Sequence, residues 1–80
     1  MTQIEEYVIK RVKEMRTERG WSQQVLADYM NLSQGFIRDV ENPRKRSKYN
    51  INHVNTLARV FNCPFSDFFP EKPFPEEPKK

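Results

Sequence analysis

Eighty residues, 36% of them hydrophobic and 31% charged, make one small globular domain and leave no room for a second core. The longest apolar runs are a few residues and Glu5 and Glu6 interrupt the N-terminus, which excludes a membrane span and a signal peptide. A net charge of +3 is mildly basic, but residues 38–48 hold five Lys or Arg against two Asp or Glu, so the charge is concentrated where an anionic partner could use it.

In chain order the sequence predicts five helices and a tail. The first runs from about Thr2 to Arg19, with Ile4, Val8, Val12 and Met15 at intervals of three and four residues, an apolar stripe on a charged rod that Gly20 ends. A second spans about Ser22 to Met30, and a third Gln34 to Asn42, stopped by Pro43. After an irregular basic stretch, Pro43 to Tyr49, Asn50 can cap a fourth helix in which Ile51, Val54, Leu57, Ala58 and Phe61 share a face. Asn62 ends that helix, and Pro64 can open a short fifth through Phe69. From Pro70 onward the chain is rich in proline and charge, which predicts an extended, largely disordered tail. The expected organisation is an all-α, compact five-helix bundle over residues 1–70 with a Pro-rich tail over 71–80.

The segment Ser22 to Asn42, SQQVLADYMNLSQGFIRDVEN, is the sequence of a helix-turn-helix. Ser22 and Ser33 each offer a side-chain oxygen to unpaired amides at a helix start, and Asn31 tolerates the left-handed backbone that a sharp stop uses. Trp21, Leu26, Ala27, Met30, Leu32, Ile37 and Val40 fall inside the corner, with Ala27 small at the closest approach of the two helices. At about 100° per residue, Ile37, Val40 and Glu41 share one side of the third helix, and Gly35, Arg38, Asp39 and Asn42 the other.

From Ile9 to Phe69 the chain resembles the DNA-binding domain of the Cro/phage-repressor (XRE) family. The resemblance rests on KRVKEMRTERGWSQQVLADYM, NLSQGFIRDVEN and NTLARVFNCPFSDFF, which keep helix order, lengths and corner position together. It implies a bacterial or phage-encoded, cytoplasmic regulator that binds double-stranded DNA as a homodimer on an inverted repeat, with the third helix in the major groove. Carried over by position, Gln34 is the best base reader, its amide suited to adenine, and Phe36 offers apolar contact to a thymine methyl or a sugar. Arg38 can reach guanine or a phosphate, Gly35 allows the backbone close to DNA or is a tolerated surface glycine, and Asp39 accepts from cytosine or pairs with a nearby cation. Ser22, Gln23, Asn42, Arg44, Lys45, Arg46 and Lys48 fall at phosphate-contacting positions, with Gln23 also bracing the start of the third helix. Arg16 and Glu41 match a family ion pair that ties the first helix to the third.

Little else carries chemistry. His53 reads as a surface or capping residue and Cys63 as a buried thiol in a reducing compartment. No Cys/His cluster has metal-ligand spacing, no glycine-rich loop could cradle a cofactor phosphate, and no nucleophile has a base beside it, so neither metal, cofactor nor enzymatic activity is expected. The rival is a protein-interaction module on the same fold, with a toxin or another regulator as partner. Val25 and Tyr29 share the outer face of the second helix, and Phe74 stands between prolines in the tail. For a dimer, the region around Phe65, Phe68 and Phe69 is the expected surface, unless those rings close the core.

Overall fold

In the computed structural model, which describes residues 1–75, helix ends fall at residues whose own side chains can make them. Helix α1 (Gln3–Glu18) begins with a reciprocal cap: the Glu5 amide donates to Thr2 Oγ1 and the Thr2 amide to Glu5 Oε1 at 2.9 Å. It closes at Gly20, whose φ of 69° lets the Gly20 and Trp21 amides turn back onto the Thr17 and Arg16 carbonyls. Ser22 caps α2 (Gln23–Met30) through the Val25 amide, and Ser33 caps α3 (Gln34–Glu41) through the Phe36 amide. Asn31, with φ of 58°, makes the corner between them, and the Leu32 amide donates to the Ala27 carbonyl at 2.9 Å. Asn62 repeats that closure after α4 (Ile51–Phe61), with φ of 53° and the Cys63 amide on the Ala58 carbonyl.

The molecule is all-helical among the described residues, but the fifth helix is not α. Phe65–Phe68 forms one 3-10 turn, because four residues between Pro64 and the extended Phe69 are too few for an α-helix to gain enough hydrogen bonds. The bundle is therefore four α-helices closed by a short 3-10 lid, in place of the five-helix expectation.

Its core joins the α1 stripe (Val8, Val12, Met15) to Leu26, Ala27 and Met30 of α2, Ile37 and Val40 of α3, and Val54, Leu57 and Phe61 of α4. Ala27 is wholly buried, which lets α2 and α3 approach closely. Phe68 is wholly buried too and Phe69 packs partly against the core, so of the three phenylalanines offered as a dimer surface only Phe65, 53% exposed, faces solvent. Residues 71–75 carry no helix or strand, yet Phe74 places its ring edge-on to Tyr7 of α1 at 6.0 Å. The expectation of disorder for residues 76–80 lies outside the described residues.

Candidate nucleic-acid interface

The inner side of α3 is fixed by a buried ionic bracket. Arg16 of α1 presents Nε and Nη2 to the two Glu41 carboxylate oxygens at 3.0 and 2.8 Å, a two-pronged pairing, and its Nη1 donates to the Trp21 carbonyl at 2.7 Å. The Glu41 side chain is 3% exposed and that of Arg16 10%, so neither charge has water to fall back on. Gln23, at the start of α2, donates its amide to Glu41 Oε1 at 3.0 Å. One carboxylate thus ties α3 to both preceding helices. Tyr49 is buried nearby, its hydroxyl without a hydrogen-bond partner among the described residues, and burial with the Glu41 charge pushes its pKa up.

An aromatic group supports the N-terminal half of α3. The Phe36 ring lies 4.9 Å from His53 and 6.1 Å from Tyr49. His53 in turn accepts the Asn50 amide at Nδ1, while the His53 amide donates to Asn50 Oδ1, so the histidine completes the α4 cap in its neutral form. Burial lowers the His53 pKa, which favours that form. Phe36 is accordingly half-buried, packed against the edge of the core.

The outer side is more open. Gln34 is exposed at the first position of α3. Arg38 is exposed and its Nε lies 3.7 Å from Asp39, so Asp39 pairs with a cation, one of the two uses its sequence position allowed. Gly35 has ordinary room: an added Cβ would meet Arg38 Nη2 at 3.5 Å and Ser33 Oγ at 3.9 Å. Nothing in the free molecule requires glycine there.

Flanking residues divide into engaged and open. Ser22 is exposed with its hydroxyl already serving the Val25 amide. Gln23 directs its amide nitrogen inward to Glu41 at the end of α3. Asn42 accepts the Arg44 amide at 3.0 Å and so shapes the turn after α3. Arg44, Lys45 and Arg46 are exposed and make no ion pair among the described residues. Lys48, also exposed, is engaged by a carboxylate of α1. Its Nζ sits 2.6 Å from Glu5 Oε2, and the Lys48 ammonium and Thr2 amide hold the Glu5 pKa down at about 2. Sequence pattern alone does not reveal a partner forty-three positions away.

On a different side, Tyr29 is 59% exposed and packs at a tilt against Trp21, ring centres 4.7 Å apart. Trp21 lies parallel to Phe61 at 5.4 Å, and the Arg19 guanidinium covers both rings. Val25 is half-buried, so the outer face of α2 presents one aromatic ring rather than an apolar pair.

The Helix-turn-helix family model matches residues 12–68, which enclose the capped corner, the bracket and the closing turn. A competence pilus inhibition repressor from Acinetobacter baylyi is 35% identical over 60 residues, 75% of this chain and 53% of that protein. The chain thus spans about half the length of that relative. The crystal structure of the restriction-modification controller protein C.AhdI from Aeromonas hydrophila matches with a TM-score of 0.66 at 24% identity, over 79% of this chain and 92% of that one. Identity that low speaks for the fold alone.

Proposed function

Because the chain belongs to the helix-turn-helix family of DNA-binding regulators, which are not enzymes, we propose that it is a sequence-specific transcriptional repressor that sets α3 in the major groove. The observation that carries this reading is the contrast across α3. Its inner side is locked to α1 and α2 through Glu41, while Gln34 stands exposed at its first position. A reading helix needs that rigidity, since base-edge hydrogen bonds tolerate little misplacement. Gln34 is the proposed base reader, with Arg38 beside it; Asp39 tempers the Arg38 charge, and Gly35 permits the backbone to come close. Asn42, Arg44, Lys45 and Arg46 are the proposed phosphate contacts, joined by the Ser22 hydroxyl and the second Nε2 hydrogen of Gln23 as positioning donors.

The molecule measures 37 × 27 × 21 Å, so one copy covers little more than a helical turn of duplex, about 34 Å. Two copies on an inverted repeat supply the remaining contacts, and exposed Phe65 is the aromatic residue available near the C-terminal side of the bundle for their pairing. The name of the Acinetobacter relative supports a repressor role. Selection from a random duplex library at two salt concentrations tests the reading. An enriched inverted repeat is the expected result; retention of all duplexes alike would reduce the protein to a general DNA binder. A second reading, a protein-interaction module, is favoured by exposed Tyr29 on Trp21. It predicts binding that is insensitive to salt and lost in Tyr29→Ala.

A further inference from the structure

Two lysines of α1, Lys10 and Lys13, play no part in the reading above. Both are exposed, and three positions apart they rise from one edge of the helix. They face the segment that follows α3 across a groove of about 680 Å³ whose lining includes Lys10, Lys13, Arg44, Lys45, Arg46 and Glu6. Twelve Lys or Arg lie within the described residues. Arg11, Arg16, Arg38 and Lys48 pair with carboxylates, and five of the other eight line this one groove. Glu41 also borders it, but its charge is met by Arg16 at 2.8 Å. Five cations therefore face a single uncommitted carboxylate.

The last turn of α3 ends at this groove, and helix C-termini present carbonyl oxygens, so an anion here is held by side chains and not by backbone amides. All five cations are solvent-exposed and on long, flexible stems. Such a lining attracts a hydrated chain of phosphates through charge, and lacks the fixed, buried donors that a discrete small ligand needs. We propose that Lys10 and Lys13 carry the phosphate footprint onto α1, so that a DNA strand leaving α3 runs between α1 and residues 43–46. This rests on the DNA-binding reading and assigns to it a second wall, absent from the helix-turn-helix itself.

The test compares the full chain with Lys10→Ala/Lys13→Ala and Lys10→Arg/Lys13→Arg, titrating a library-selected duplex and a scrambled one across a salt series. The alanine variant is expected to bind both duplexes more weakly, to enrich the same sequence, and to show a log-log salt slope shallower by about two units. The arginine variant keeps the wild-type slope. A wild type that binds duplex with an alanine variant of identical slope overturns the extension while leaving the DNA reading intact. Failure of the wild type to bind any duplex overturns both. If inorganic phosphate raises the melting temperature of the wild type but not of the alanine variant, and the slopes are equal, the groove holds a free anion and the extension is overturned.

Discussion

Behind α3 the charged groups are buried and paired, whereas the three cations that directly follow it are exposed and meet no carboxylate among the described residues. Arg16 and Glu41 lie under α1 with almost no solvent access, and every oxygen of that carboxylate is taken. Arg44, Lys45 and Arg46 are three to five residues beyond Glu41 and exposed. The same chemical groups thus do opposite work within six positions. Paired and desolvated, a charge fixes geometry and becomes costly to disturb; unpaired and hydrated, it costs stability nothing and is free to meet a polyanion.

The contrast is open to direct attack. The largest effect is expected behind the helix: Arg16→Met strands the Glu41 carboxylate without a counter-charge and should destabilise the fold by about 3–5 kcal/mol. Thermal melts would show this, and adding Glu41→Leu should restore a good part of it, since an apolar pair carries no buried charge. If the single variant melts like wild type, the bracket does not hold α3. On the outer side, Gln34→Ala should leave the melt unchanged and weaken the selected DNA site by roughly 1–3 kcal/mol, sparing scrambled DNA. Equal weakening of both duplexes would make Gln34 a backbone contact.

Gly35→Ala should raise stability by up to about 1 kcal/mol, because the added methyl meets only ordinary contacts. A fall in DNA affinity in that more stable variant would assign the glycine to close approach of the duplex. Arg46→Ala should not move the melt and should shallow the salt slope by about one unit for any sequence. The smallest effect concerns Glu5, whose pKa is lowered from 4.5 to about 2 in the folded protein by Lys48 and the Thr2 amide. A depressed carboxylate stabilises fully above its unfolded pKa, so this contribution is intact above about pH 4.5 and disappears as pH falls toward 2. Acid titration of Glu5→Gln should lack that part of the slope.

What could be seen in the sequence was whatever depends on neighbours along the chain. Ser22, Ser33 and Asn50 bond amides three residues away, and Gly20, Asn31 and Asn62 close helices within five, so composition at a position is enough to place a helix end. The apolar stripes of α1 and α4 are legible for the same reason. Side-chain commitments over longer distances are not. Lys48 meets Glu5 from the other end of the domain, Gln23 turns to Glu41, and Phe36 finds Tyr49 and His53 across the α3–α4 segment. Each has an equally plausible solvent-facing role in the sequence. Tyr49 sits in a basic, irregular stretch yet is buried, because the fold and not the local pattern brings it under α3.

The aromatic stack at the α1–α2 junction has a practical consequence. Trp21 is the sole tryptophan, parallel to Phe61 of α4 and beside Tyr29 of α2, and its carbonyl accepts from Arg16. Its indole emission therefore reports on the union of three helices without any introduced label. Because none of the proposed DNA contacts touches that ring, an emission change on adding duplex would reveal motion transmitted through the bundle, and a constant spectrum would mark the domain as a rigid reader.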